Sequence, residues 1–157
     1  MESTDVLVIG AGIAGLCAAI EAARTGATVT VASAGKTMSG SSFFPGTWGL
    51  GLIGPVDEDD EQDLIDTIQT VGGGVADPEL VQTFVHGIRQ AIDWLEQDLG
   101  VELQRPQSAK SAQQKQFIPC FDHKTRMWRG LTRKPLEDAL TTWIESLGIR
   151  LLPRHEL

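Results

Sequence analysis

Gly10-Ala11-Gly12-Ile13-Ala14-Gly15 joins a β-branched apolar run to a stretch of small, helix-favouring residues. Few folds accommodate so tight a turn between two such segments. Asp5-Val6-Leu7-Val8-Ile9 in front of it suits a strand buried on both faces of a parallel sheet. Behind it, Ile13 to Arg24 is made of small or helix-favouring residues, Ala above all, which predicts a helix of about three turns, with Gly26 placed for a left-handed C-terminal cap. Ala27 to Ala32 is a second apolar strand. Residues 5–33 therefore read as a βαβ unit with parallel strands and a right-handed crossover.

Each glycine of the turn has a physical reason. The first permits the tight bend, the second lets a pyrophosphate approach the backbone with no Cβ in the way, and the third lets helix and strand pack closely. The helix start then offers unpaired N–H groups and the positive end of its dipole to phosphates. In this setting the pattern points to a dinucleotide; in a bare loop the same spacing would say little. Ser33, followed by Ala34, stands at the end of the second strand, where Asp or Glu commonly binds the ribose of NAD and a nearby Arg the phosphate of NADP. A serine hydroxyl can bond to a ribose but does not select NAD. On these residues alone an NAD(P)-binding domain stays open.

Residues 35–55 hold six of the 17 glycines, with Ser39, Ser41, Ser42, Pro45 and Pro55, and predict a long loop of the kind that wraps a ligand. Six acids from Asp57 to Asp63 precede Leu64, Ile65, Ile68 and Val71, a pattern for a helix whose acidic start is solvated rather than metal-binding. Asp77-Pro78 predicts a cap and first position for the next helix, with Leu80, Phe84, Ile88, Ile92, Leu95 and Leu99 on one face until Gly100. Residues 57–100 thus form a helical stretch. The segment 110–134 carries seven Lys/Arg against one acid, Asp122, and shows no readable element. Balancing the acids at 57–63 is the expected role of Lys124, Arg126, Arg129 and Arg133. Asp122-His123 has the residue types for proton transfer, but sequence neighbours seldom face one site. Pro135 opens a last helix, with Leu136, Ala139, Leu140, Trp143, Ile144 and Leu147 on one side and Trp143, like Trp94 in the helix before, expected in the core; a strand follows Gly148, so 135–152 reads as helix and strand.

With 157 residues the chain is sized for one globular domain or part of a larger one. A net charge of −8 disfavours nucleic acid as a partner. Cys17 and Cys120 stand far apart, so neither a disulfide framework nor a metal site is expected, and Cys17 reads as packing. The apolar runs fall well short of the ~20 residues of a membrane span. Met1 to Asp5 carries acids where a signal peptide carries Lys or Arg, so the expected location is cytoplasmic.

Residues 5–15, with Ala-Ala-Ile-Glu-Ala-Ala at 18–23, resemble the opening of the flavoprotein family of succinate dehydrogenase, fumarate reductase and L-aspartate oxidase. Gly40-Ser41-Ser42-Phe43-Phe44 is similar to that family's Gly-Ser-Thr segment along the flavin. Asp66-Thr67, Gly72-Gly73-Gly74, Asp77-Pro78, Ala91-Ile92-Asp93-Trp94-Leu95 and Gly100-Val101 resemble its helical stretch, so the likeness runs from residue 5 to about 102 and more loosely beyond. It implies an α/β, Rossmann-like FAD-binding fold with a parallel central sheet, incomplete at the C-terminus. The implied protein is a flavin-dependent oxidoreductase passing hydride between FAD and a small, anionic substrate such as a carboxylate. Gly10, Ala11, Gly12, Ile13, Ala14 and Gly15 would form the pyrophosphate site. Ser33 and Ala34 would meet the adenosine, and Gly40, Ser41, Ser42, Phe43 and Phe44 the flavin, with Trp48 a further candidate contact. Members with covalent flavin carry His at the position of Ser41, which implies noncovalent FAD here. The Gln-Gly-Gly of the family is not reproduced at Pro45-Gly46-Thr47-Trp48-Gly49, and the Glu-Gly-Gly-His segment of L-aspartate oxidases is missing between Gln104 and Arg133, which speaks against aspartate as substrate. The catalytic Arg, the cap domain and the second FAD-binding segment are expected beyond residue 157. The catalytic residues of this chain are therefore unassigned, and a noncatalytic FAD-binding fragment is the other reading.

Overall fold

A computed structural model describes residues 3–44, 51–106, 124 and 126–155. In chain order the elements are β1 (Val6–Ile9), α1 (Ile13–Arg24), β2 (Val29–Ser33), a 3-10 turn (Ser41–Phe43), β3 (Gly51–Gly54), α2 (Asp59–Val71), α3 (Pro78–Asp93), a π-helical turn (Trp94–Asp98), β4 (Met127–Gly130), α4 (Arg133–Ser146) and β5 (Arg150–Pro153). They form two compact units: residues 1–48 with 132–157, and residues 49–131.

The first unit is built on a parallel sheet of order β1-β2-β5, with Val6 opposite Val29 and Thr30 opposite Arg150. Asp5 fixes the entry to β1, its carboxylate accepting hydrogen bonds from the Thr28 hydroxyl at 2.6 Å and the Thr28 N–H at 2.8 Å. Those bonds hold the Asp5 carboxyl below its ordinary range. At its other end α1 stops at Thr25, and Gly26 turns the chain at φ +93°, a conformation that suits a residue without Cβ. Leu16, Ala19 and Ile20 of α1 and Leu136, Leu140 and Ile144 of α4 are buried, and the two helices touch. Arg24 reaches from α1 to lie 5.4 Å over the half-buried ring of Trp143 and also pairs with Glu21 at 2.9 Å.

Three expectations change here. β1 is not buried on both faces, because Leu7 and Ile9 are 47% and 73% exposed. Among the described residues β1 pairs only with β2, and the alternation of the strand turns Leu7 and Ile9 away from α1 while Val8 approaches Gly15. α4 begins at Arg133, with Thr132 as N-cap, so Pro135 lies within the first turn, where its missing N–H costs nothing. Trp143 is a half-buried rim residue, not core, and Trp94 is likewise half-buried.

In the second unit, the antiparallel pair β3–β4 places Gly51 opposite Gly130 and Gly54 opposite Met127. The sequence assigns 51–54 to a loop, yet its glycines are what the strand pair needs. A Cβ on Gly51 would lie 1.6 Å from the indole nitrogen of Trp128, and one on Gly130 would lie 2.4 Å from the same ring. Trp128, buried, fills the space that side chains would take. Asp77 caps α3, its carboxylate accepting from the N–H groups of Glu79 at 2.9 Å and Leu80 at 3.1 Å. Leu64 and Ile65 of α2 pack on Val81 and Val85 of α3. The buried face of α3 is thus Val81, Val85, Ile88 and Ile92; Ile88 and Ile92, like Leu95 and Leu99 beyond them, are buried as the sequence suggests, whereas in the first turns Val81 and Val85 take the place of Leu80 and Phe84, which are exposed.

The acidic start of α2 is only partly solvated. Asp60 is 4% exposed and meets the fully buried Arg126 at 2.5 Å; Arg126 also reaches Asp63 at 2.7 Å and the Thr67 hydroxyl at 3.2 Å. Lys124 closes the cluster on Asp60 at 2.5 Å and Asp63 at 3.3 Å, and the Asp60 carboxylate beside it raises the Lys124 pKa. Lys124 and Arg126 therefore neutralise these acids. Arg133 does not: it pairs with Glu137 at 2.6 Å and donates to the Phe43 carbonyl at 3.3 Å. Arg129 donates to the Trp128 carbonyl.

Candidate dinucleotide site

β1 ends at Ile9, and Gly10 bends the chain at φ +108° while its N–H donates to the Ala32 carbonyl at 2.8 Å. Gly15 makes the turn close: a Cβ there would lie 2.0 Å from the Gly10 carbonyl oxygen and 3.4 Å from Val8. Ala11 is buried in the bend, and Gly12 is the N-cap of α1 in extended backbone, with no side chain to cap the helix. The first N–H groups of α1, at Ile13, Ala14 and Gly15, thus start the helix without a side-chain acceptor, as anion-binding helix starts do.

Beside this turn lies an open cleft of about 540 Å³, lined by Ile9, Gly10, Ala32, Ser33, Ala34, Gly35 and His155. Its volume falls in the range of small-molecule sites. Parallel pairing is the cause of this convergence, since the C-terminal ends of β1, β2 and β5 come out on one edge. Sequence reasoning includes Gly10, Ser33 and Ala34 and omits His155. No local pattern signals His155: the parallel pairing of β5 on β2 sets Pro153 beside Ser33, and His155, two residues further on, donates its N–H to the Ser33 carbonyl.

The segment 40–44 does not line that cleft. Gly40 turns at φ +82°, Ser41 and Phe44 are exposed, and Phe43 is buried, 3% exposed. Phe43 can therefore offer a ligand its backbone but not its ring, since an apolar ring gains more from the core than from a wet rim. Trp48, Cys120, Asp122 and His123 lie outside the described residues. Cys17 is half-buried, and burial, helped by the charge of Glu21, pushes its thiol up to about 11. Among the described residues no group of three His, Cys, Asp or Glu is placed to hold a metal, and no helix is long and apolar enough to cross a membrane.

A glycine turn with positive φ, an uncapped helix start and an adjoining cleft lined by Ser33 together fit a dinucleotide, and they define a Rossmann-like nucleotide-binding protein. The match to the FAD binding domain family extends over residues 5–157, and the chain belongs to that family, whose cofactor is FAD. Among curated relatives, L-aspartate oxidase of Halobacterium salinarum is 42% identical over 100 residues, 63% of this chain and 19% of that enzyme. Vinyl phenol reductase of Lactiplantibacillus plantarum is 27% identical over an alignment covering 96% of this chain and 29% of its own length. The chain thus spans under a third of the curated relatives it matches. Of solved structures, 3-ketosteroid-Δ4-(5α)-dehydrogenase of Rhodococcus jostii superposes with a TM-score of 0.71 at 21% identity over 96% of this chain and 38% of that one. The open form of a flavocytochrome c3 fumarate reductase does so with 0.68 at 23% over 98% and 27%. At these identities the structural likeness establishes the fold.

Proposed function

We propose that this chain is the FAD-binding portion of an oxidoreductase that passes hydride between FAD and a small anionic substrate, a carboxylate being the best fit. The observation that carries the reading is the uncapped start of α1 set beside the cleft at Ser33. Ala11, Gly12, Ile13 and Ala14 would hold the pyrophosphate by backbone N–H groups, Ser33 and Ala34 would meet the adenosine, and Gly40 to Phe44 would run toward the flavin. FAD bound there supplies the redox centre, and the polypeptide binds and orients it. Curated relatives named for aspartate oxidation and a structural neighbour named for fumarate reduction support a carboxylate. The aspartate itself is disfavoured by the departures between Gln104 and Arg133. Ser41, in place of the histidine of covalent members, supports noncovalent FAD. Two cysteines without disulfide or metal spacing support a reducing, cytoplasmic location.

Titrating the purified protein with FAD and with NADH tests the cofactor. FAD is expected to bind at least about tenfold more tightly, the factor that one lost hydrogen bond commands. Tight NADH binding with indifference to FAD would overturn the proposal. For the substrate, the FAD-loaded full-length protein is photoreduced and mixed with fumarate under anaerobic conditions; reoxidation of the flavin is the expected result.

A further inference from the structure

The end of β5 is stitched to the loop after β2 by two backbone bonds. The Arg154 N–H donates to the Gly35 carbonyl and the His155 N–H to the Ser33 carbonyl, both at 2.9 Å. Between them Arg154 adopts φ +60°, a conformation that an L side chain rarely takes and that persists only where its surroundings enforce it. The product of that turn is the position of His155, an exposed residue that lines the cleft together with Ser33 and Ala34.

The imidazole is itself oriented. Its Nδ1 lies 2.9 Å from the Pro153 carbonyl oxygen, and a carbonyl can only accept, so Nδ1 carries the proton. In the neutral ring Nε2 is then a lone-pair acceptor and the ring atom left for a ligand. An acceptor at the end of the second strand is what the usual Asp or Glu supplies to a ribose, and here Ser33 occupies that position.

We propose that His155 is the adenosine-side specificity residue of this site: Nε2 accepts a hydrogen bond from a ribose hydroxyl of the adenosine, replacing from the third strand the carboxylate that the second strand lacks. This rests on the dinucleotide reading of the cleft. A neutral acceptor favours a ribose with its hydroxyls intact and disfavours a phosphate in their place, so the site takes ADP-type ends and not 2′-phosphorylated ones.

The test is calorimetric titration of the chain at about pH 8, using ADP, 2′-deoxy-ADP, 3′-deoxy-ADP and adenosine 2′,5′-diphosphate as probes. His155→Ala should weaken ADP about tenfold, and should abolish the preference of the parent for ADP over one of the two deoxy probes. His155→Gln, whose amide oxygen can stand near the place of Nε2, should restore affinity to within about threefold of the parent. The parent should bind adenosine 2′,5′-diphosphate at least about tenfold more weakly than ADP. Far-UV circular dichroism checks that each variant is folded. If Gly12→Val abolishes ADP binding while His155→Ala leaves it within twofold, the dinucleotide reading stands and the role of His155 is refuted. If His155→Ala weakens every probe equally and the preference for ADP survives, the residue acts only on the fold of the loop and the proposal fails. Absence of ADP binding by the parent chain would overturn the dinucleotide reading, and this proposal with it.

Discussion

Gly12 and Gly15 stand three residues apart in one turn and answer to different constraints. Gly12 has φ −80° and ψ 178°, backbone that any residue adopts, so conformation does not require glycine there, and on the proposed function its lack of a side chain serves access. Gly12→Val should therefore reduce ADP and FAD affinity at least about a hundredfold while costing about 1 kcal/mol or less of stability, as for a weak N-cap. Gly15→Ala should behave in the opposite sense, destabilising the chain by about 1–3 kcal/mol through the clash with the Gly10 carbonyl. Thermal melts and titrations of both variants separate the two effects. Cys17 provides a third prediction at this scale. With its thiol pushed up to about 11, it is protonated at neutral pH. In a Cys120→Ser background its alkylation by iodoacetamide at about pH 8 should be slower than that of free cysteine by on the order of a hundredfold, and should accelerate as pH approaches 11. A rate near that of free cysteine would contradict the buried environment.

At the scale of elements, the joint between α2 and the start of β4 depends on charge. Arg126 is 0% exposed and stands between Asp60 and Asp63, so truncating it leaves the buried Asp60 carboxylate to the partly exposed Lys124 and the Val56 N–H. Arg126→Met is expected to cost about 3–5 kcal/mol, read as a lower urea midpoint. Adding Asp60→Asn should recover a good part of that loss, because the uncompensated buried charge goes with it. An equal or greater loss in the double variant would show that the guanidinium acts through packing alone. The strand pair β3–β4 has a comparable dependence on Trp128, whose ring occupies the space over Gly51 and Gly130.

For the molecule as a whole, FAD binding is a property of the family, whereas the mode of attachment follows from one residue. Ser41 offers a hydroxyl where covalent members offer an imidazole, so the flavin of the loaded full-length protein should appear in the supernatant after acid precipitation. Yellow colour retained in the pellet would refute noncovalent attachment. The architecture also explains how residues far apart in the chain line one cleft. Residues 49–131 make up a unit of their own between β2 and α4, and β5 then returns to pair with β2, bringing residue 155 to residue 33.

The sequence by itself determined the βαβ unit, its glycine turn and the caps at Gly26 and Asp77, because each depends on backbone conformation over a few neighbouring residues. It also carried the family likeness, and Ser33 and Ala34 could be read as candidates because the second strand follows the first at short range. What only the tertiary structure decided involves partners far apart in the chain. Gly51 to Gly54 is a strand because Trp128 lies against it, and Asp60 is buried because Arg126 arrives to neutralise it. Leu7 and Ile9 keep one face exposed because strand periodicity records which side chains alternate, not whether a second layer covers them. His155 became visible as a site residue only through the parallel register of β5 on β2, a pairing across some 120 residues that no local pattern encodes.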